Sequence, residues 1–178
     1  MVNPVDDMTS ILDRFEMARS RGVIILEDRA SGCHCKAKVD LKNHKCRLIQ
    51  VDGDNGITEI ESEKCDWCVQ DCDPHGRFLF VELKGSGEKA AVKAASQLLA
   101  TIKWFQHHIN DFKVNNHSYI VMADSCPSFR SCHQNIAPSF REKSGSNLVI
   151  WKQKDVIPLY DSFHYSVHES FFPCFFPP

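Results

Sequence analysis

The segment Lys64–Gly85 places acidic and basic side chains between two apolar runs. Its centre contains Pro and Gly, and this pattern is typical of two strands joined by a turn. Such a hairpin would bring Asp66 opposite the end of the second strand, which contains Glu82 and Lys84. Because side chains two apart on a strand share a face, Glu82 and Lys84 should point the same way. The sequence therefore predicts two carboxylates and one ammonium group at one sheet edge.

These three side chains suit metal-dependent phosphodiester hydrolysis. Mg²⁺ is usually held by one or two carboxylates together with substrate phosphate oxygens, and Asp66 and Glu82 would supply the carboxylates. A bound ion lowers the pKa of water and neutralises charge that builds on a phosphoryl group. Lys84 would orient or deprotonate that water, or stabilise the transition state.

An acid two residues before a lysine is common in a chain that is 25% charged, and most such pairs lie on a solvated surface. Asp40–Lys42 and Asp111–Lys113 have the same spacing. Context favours Glu82, because it closes the apolar run Phe78–Val81 between an acidic strand and a long helix.

The motif Cys65–Trp67, a turn, then Phe80–Gly85 and a helix with Gln97 resembles the PD-(D/E)xK nuclease superfamily, also called restriction-endonuclease-like. The resemblance covers roughly residues 52 to 109, with a continuation to about residue 152. It departs from the family at Cys65, which stands where the family's first motif has proline. It implies a Mg²⁺-dependent or Mn²⁺-dependent nuclease, with DNA favoured over RNA as substrate and a homodimer as a further expectation.

The resemblance also implies the role of individual residues. Asp66 and Glu82 match the metal-binding acids, Leu83 is placed with them in the metal site, and Lys84 matches the family's lysine. Two further positions come from helices: Gln97 matches a glutamine near the active site of many members, and Glu16 is the best candidate for an acid of the first helix. Glu27 is a weaker candidate for that acid.

The implied fold class is α/β, a restriction-endonuclease-like core in which a central mixed β-sheet is flanked by α-helices. We expect a single domain of 178 residues with a core over residues 8–152 and an extension over residues 153–178. Hydrophobic spacing predicts helices over Met8–Ser20 and Ser86–Ile109. In the second helix the predicted apolar stripe consists of Val92, Ala95, Leu99, Ile102 and Phe105, with Gln97 at its flank.

Short apolar or alternating runs predict the remaining strands. They are Val23–Glu27, Cys33–Val39, Cys46–Val51, Ile57–Glu61, His117–Ala123 and Asn147–Lys152. The polar segment Asp124–Ser146 contains proline and glycine and is predicted to be a long loop or short helices. Asp52–Gly56 is predicted to be a tight turn, with Asp52 close enough to Asp66 to line the same cleft.

Charge and hydropathy limit the partners. The formal net charge of −2 does not by itself indicate nucleic-acid binding, but Lys and Arg concentrate in two runs, residues 36–47 and 130–154. No apolar run is long enough for a membrane span, and the N-terminus lacks a signal-peptide pattern, so we expect a cytoplasmic protein. A scaffold of this fold that binds nucleic acid or protein without cutting is the alternative.

Nine cysteines, an odd number without an export signal, favour reduced thiols over a disulfide framework. A zinc or iron–sulfur site is a rival interpretation of a larger set: Cys65, Cys68, Cys72, Cys33, Cys35, Cys46 and His44. Cys65 and Cys68 form the only Cys-x-x-Cys pair, and strand geometry predicts that they face opposite sides. Buried thiols are therefore favoured over a metal site.

Overall fold

The computed structural model describes residues 12–28, 35–61, 63–73, 76–85, 87–110, 112–114, 117–122 and 129–159. Within these ranges it contains nine strands, two full helices and two helical residues, Leu12 and Asp13. The strands are β1 Glu16–Ser20, β2 Val23–Glu27, β3 Lys36–Asp40, β4 Cys46–Gln50, β5 Trp67–Asp71, β6 Phe78–Lys84, β7 His117–Met122, β8 Asn147–Lys152 and β9 Val156–Pro158. The helices are α1 Glu88–His108 and α2 Phe129–Ser144.

The strands form two sheets. The larger sheet has six strands in the order β1-β4-β5-β6-β7-β8, and the smaller has three in the order β2-β3-β9. Neighbours from β1 to β6 are antiparallel, whereas β6, β7 and β8 are parallel. The larger sheet is therefore mixed: the β5–β6 hairpin belongs to its antiparallel half, and helical crossovers connect the strands of its parallel half.

Two cores lie on the two faces of the large sheet. On one face, Phe80 of β6 packs with Leu98 and Phe105 of α1. On the other face, Val81 of the same strand packs against the small sheet, including Val39 of β3. The chain is thus α/β with a mixed sheet, as predicted, but within the described residues the helices cover one face and a second sheet covers the other.

Helix α1 begins at Glu88, close to the predicted start, and Gly87 is its N-cap residue. Gly87 has φ of 106°, a conformation that only glycine adopts without strain. The buried stripe differs from the predicted one: Ala91, Ala94, Ala95, Gln97, Leu98, Thr101, Ile102 and Phe105 are buried. Val92 is instead 45% exposed, because the small alanines, not the larger valine, face the sheet.

The predicted first helix is wrong over Glu16–Ser20, which forms strand β1. This strand pairs antiparallel with β4, with an irregular register between Glu16 and Ala18. The helical spacing of Leu12, Phe15 and Ala18 is a local signal, and pairing with a distant strand overrides it. Residues 8–11 of the predicted helix lie outside the described residues.

One further prediction is wrong, and a second is confirmed only in part. Ile57–Glu61 is not a strand but a pair of turns, in which the Ile57 N–H donates to Val51 O and the Ile60 N–H to Ile57 O, so that both isoleucines face the core. The segment predicted as a long loop or short helices contains one helix of 16 residues, α2, which includes Pro138. Proline removes one backbone donor, but packing of Phe140 in the helix-side core offsets that loss.

The remaining predicted strands are confirmed within one or two residues wherever they are described, and β9 follows the strand that was predicted to be last. The aromatic and proline-rich residues 160–178 lie outside the described residues. Among the described helices, none has the length and apolar character needed to span a membrane.

Candidate functional site

The hairpin of β5 and β6 brings Asp66 and Glu82 together. Trp67 lies opposite Val81 in the antiparallel register, so the next pair along the hairpin is Asp66 and Glu82. The backbone N–H of Asp66 donates a hydrogen bond to Glu82 Oε2 at 3.0 Å. Both side chains are buried, Glu82 completely.

The carboxylate of Asp66 is fixed by the backbone of the opposite strand. The N–H of Leu83 donates to Asp66 Oδ2 at 2.6 Å. The side chain of Leu83 is buried in the core between the two sheets, so this residue reaches the site only through its backbone. The carbonyl of Asp66 in turn accepts from the N–H of Val51 at 2.9 Å, which ties the site to the end of β4.

Lys84 completes the group of three residues that the sequence singled out. Its Nζ forms an ion pair with Glu82 Oε1. Glu82 and Lys84 therefore share a face of β6, as their spacing predicts. Lys84 is only partly buried, so the ammonium group lies between the buried carboxylates and solvent.

Burial controls the protonation of this cluster. Burial raises the pKa of Glu82 to about 8, and the charge of Asp66 adds to that effect. Burial also raises the pKa of Asp66 to about 6, against the hydrogen bond from Leu83. For Lys84, burial favours the neutral form, but the charge and hydrogen bond of Glu82 together with the charges of Asp66 and Asp28 outweigh it, so the pKa is raised. Without a further cation, two buried carboxylates share one ammonium group, so proton uptake relieves their repulsion.

Gln97 lies one layer behind the acidic pair. Its side-chain Nε2 donates to Lys64 O at 2.9 Å, and its backbone carbonyl accepts from the Thr101 hydroxyl at 3.0 Å. The same hydroxyl accepts from the Cys65 N–H at 2.9 Å, so α1 fixes the backbone just before Asp66. Gln97 Oε1 is buried and receives no hydrogen bond from the described residues. A buried acceptor of this kind is normally satisfied by water or a ligand.

The two glutamates proposed for the first helix make other contacts. Glu16 Oε2 lies 3.0 Å from Arg47 Nε on the neighbouring strand β4. Glu27 Oε1 lies 2.7 Å from Lys36 Nζ, across the pair formed by β2 and β3. Neither glutamate is a hydrogen-bonding partner of Asp66 or Glu82 among the contacts described.

Two aspartates approach the site instead. The charges of Asp28 and Asp52 both act to raise the pKa of Asp66, and Asp28 also acts on Lys84. Asp52, which follows β4, was expected near Asp66 from its position in the sequence. Asp28 was not predicted to lie near the site. Its only sequence signal is that it directly follows the apolar run Val23–Glu27, and its approach depends on how the two sheets pack.

Lysines from the two basic runs meet on the outer face of the small sheet. An open cavity of about 310 Å³ is lined by Ile25, Lys36, Lys38, Gln153 and Lys154. Glu27, the last residue of β2, links this surface to the acidic site. Its backbone oxygen accepts a hydrogen bond from the indole N–H of Trp67 at 3.1 Å, and Trp67 directly follows Asp66. The lysine cavity therefore begins on the strand pair whose end reaches Asp66.

The predicted opposition of Cys65 and Cys68 is wrong, because both lie in the helix-side core. Burial raises the pKa of each thiol well above its usual range, as expected for inert core cysteines. Cys33 lies outside the described residues. Within the described part of the chain, three residues form a cluster that could hold a metal ion: His44, Asp71 and Asp73.

Comparison with family models, curated proteins and solved structures finds no match to this chain. The resemblance to PD-(D/E)xK nucleases consequently depends on the motif of Asp66, Glu82 and Lys84 and on their geometry.

Proposed function

We propose that the protein is a divalent-metal-dependent nuclease that hydrolyses phosphodiester bonds, with DNA as the favoured substrate. The observation that carries the proposal is the pairing of Asp66 and Glu82 at the start of the β5–β6 hairpin, with Lys84 on the same strand face as Glu82. Two buried acids of raised pKa and an adjacent lysine are typical of a functional site.

The residues present fit a small divalent cation such as Mg²⁺ or Mn²⁺. Asp66 and Glu82 would hold it, since hard cations prefer carboxylate oxygens. Burial raises both pKa values, and for Glu82 the charge of Asp66 adds to it, so a bound cation would favour the charged carboxylates. When bound, the ion would supply positive charge to the phosphoryl group and acidify the attacking water.

The chain's own residues would position the reactants. Leu83 N–H and the Asp66 carboxylate are hydrogen-bonded, so the carboxylate has one fixed orientation. Lys84 is held by Glu82 at the solvent side of the pair, where its ammonium group would stabilise negative charge on a phosphate oxygen. In the reaction, water adds to phosphorus, the bond to the leaving oxygen breaks, and the leaving oxygen takes up a proton.

Gln97 would act as a positioning residue. Its amide nitrogen donates a hydrogen bond to Lys64 O. Its buried Oε1 accepts none from the described residues and would orient a water molecule near the site. Glu16 has no part in this proposal, because its described contact is with Arg47.

The lysine cavity would bind the phosphate backbone. Lys36, Lys38 and Lys154 place positive charge on the outer face of the small sheet, and phosphate affinity depends on such clusters. The formal net charge of −2 does not reveal this local concentration of lysines.

The test is cleavage of labelled single-stranded and double-stranded DNA and RNA in Mg²⁺, in Mn²⁺ and in EDTA. We expect cleavage with either ion, none in EDTA, and a loss of at least about 100-fold in Lys84→Ala. Lys103→Ala is the matched control, because Lys103 is an exposed lysine on α1. Circular dichroism should show that both variants remain folded.

Two outcomes count against the nuclease. One is cleavage in Lys84→Ala at the rate of the unmodified protein. The other is binding without cleavage under every ionic condition. Binding that is lost in Lys38→Ala would then favour a non-cutting nucleic-acid-binding protein, the function that the lysine cavity alone would support.

A further inference from the structure

A second cluster of metal-ligand side chains lies at the other end of β5. His44 precedes β4, Asp71 ends β5, and Asp73 follows two residues later. His44 Nδ1 lies 3.0 Å from Asp71 Oδ2 and 3.3 Å from Asp73 Oδ2. One ligand atom from each of the three residues lies within 4.8 Å of the others.

Local backbone contacts hold these side chains in place. The N–H of Asp73 donates to Asp71 Oδ1 at 3.1 Å, which directs Oδ2 toward His44. The N–H of Gly76 donates to Asp73 O at 2.7 Å and closes a turn. A Cβ at Gly76 would lie 2.0 Å from Asp71 O, so only glycine fits there. The hydrogen bond from the Asp73 N–H therefore holds Asp73 beside Asp71, and glycine at position 76 allows the chain to return close to Asp71.

We propose that His44, Asp71 and Asp73 bind a divalent transition-metal ion of the zinc class. In a tetrahedral zinc site with bonds of about 2.0–2.2 Å, neighbouring ligand atoms are separated by about 3.3–3.6 Å. The two distances from His44 Nδ1, 3.0 and 3.3 Å, are close to that separation. An ion could therefore bind with small side-chain adjustments.

The donor set favours zinc over magnesium. Imidazole nitrogen is a common ligand of Zn²⁺ and other borderline ions, whereas Mg²⁺ prefers oxygen and retains its water. An ordinary His–Asp ion pair needs only one carboxylate. Here two carboxylate oxygens converge on the same nitrogen, and a divalent ion would neutralise both.

The cluster is accessible from solvent. The side chain of Asp71 is 1% exposed, that of His44 35% and that of Asp73 63%. One ligand is thus anchored in the protein and one lies at the surface. Three protein ligands with water in the fourth position would complete the coordination.

This site is separate from the proposed nuclease site. Asp66 precedes β5 and Asp71 ends it, and five residues of strand span about 16 Å. The zinc proposal therefore does not depend on the proposed function, and either can fail alone.

The test is calorimetric titration of Zn²⁺ into the full chain at neutral pH, with excess Mg²⁺ present to occupy the acidic site. We expect one zinc ion per chain at this cluster, with affinity lowered at least about tenfold in Asp73→Asn and in His44→Gln. Both residues are partly or largely exposed, so these substitutions should not unfold the protein. Asp54→Asn, an exposed aspartate in the loop at the opposite end of β4, is the control and should bind zinc normally.

A second measurement uses Co²⁺ in place of Zn²⁺. Visible absorption of tetrahedral Co²⁺ should appear in the unmodified protein and in Asp54→Asn, and should disappear in Asp73→Asn. The proposal is overturned if no zinc binds, or if zinc binds equally well to Asp73→Asn and His44→Gln. The latter result would place the ion elsewhere, for example on cysteine thiols.

Discussion

The two ends of β5 carry acidic residues in different environments. At the start of the strand, Asp66 and Glu82 are buried and paired with a lysine. At its end, Asp71 is buried, but it meets a partly exposed histidine and a largely exposed Asp73. One end offers oxygen ligands and the other a mixture of nitrogen and oxygen. The same strand therefore presents sites suited to different ions.

The difference in burial explains why the carboxylates at the two ends of β5 are solvated differently. The buried carboxyl groups of Asp66 and Glu82 lose their hydration. Their pKa values are therefore raised unless a cation stabilises the charged form. At the far end, water reaches His44 and Asp73 directly. Removing a carboxylate charge should therefore change cleavage and stability strongly at the first end and weakly at the second.

The largest expected effect is on catalysis. Asp66→Asn should lower Mg²⁺-dependent cleavage by at least about 100-fold, because the carboxylate charge that would hold the ion is removed. Asp73→Asn makes the same chemical change at the other end of the strand and should leave the rate within about twofold. Initial rates on one labelled DNA substrate measure both. Equal losses in the two variants would show that the two ends are not independent.

The next effect is on stability as a function of pH without added metal. The carboxyls of Asp66 and Glu82 have pKa values near 4 in an unfolded chain, but about 6 and about 8 in the fold. The folded protein therefore binds more protons across this window, and its free energy of unfolding should fall as pH rises from about 4 to about 8, by a few kcal/mol.

Urea unfolding at several pH values measures this slope. The double variant Asp66→Asn, Glu82→Gln should have a flatter profile, since it lacks both titrating groups. Mg²⁺ should restore stability at the alkaline end, where the carboxylates are charged. Stability that rises with pH over the same range would contradict the assignment.

A smaller effect is expected where α1 supports the acidic end. Thr101→Val removes the hydroxyl that accepts from the buried Cys65 N–H, and should cost about 1–3 kcal/mol. Thr101→Ser is the control, because it retains the hydroxyl. Denaturant midpoints measure the difference. If valine and serine destabilise equally, the loss comes from packing and not from the hydrogen bond.

The smallest effect is expected for Asp73→Asn in metal-free protein. Asp73 is 63% exposed, so loss of its interaction with His44 should change the stability by less than about 1 kcal/mol. The variant should, however, lose the stabilisation that Zn²⁺ gives to the unmodified chain. Thermal unfolding with and without Zn²⁺ tests both statements. A large loss without metal would indicate a structural ion pair in place of a metal site.

Most of the acidic end could be predicted from the sequence. Asp66, Glu82 and Lys84 are close in the chain, and a single hairpin with an alternating pattern is enough to bring them together. The hydrogen bond from Leu83 depends on that same register. Glu16 was placed on a helix because the helical spacing around it is a local signal, and the pairing of β1 with β4 is not visible in that spacing.

The other end could not be predicted in the same way. His44 is named among the zinc ligands by the sequence, but with cysteines as partners. Its neighbours in the structure, Asp71 and Asp73, become visible only when β4 pairs with β5 and the Asp73 N–H bonds to the Asp71 carboxylate.

By itself, the sequence determined the hairpin, the long helix α1 and the face shared by Glu82 and Lys84, because these depend on residue spacing within one or two elements. Tertiary structure alone decided that a second sheet covers the face opposite the helices, that Asp28 approaches Asp66, and that His44 meets two aspartates. Those contacts join segments that are far apart in the chain, and no local pattern of hydrophobicity encodes which distant surface a strand will pair with or face.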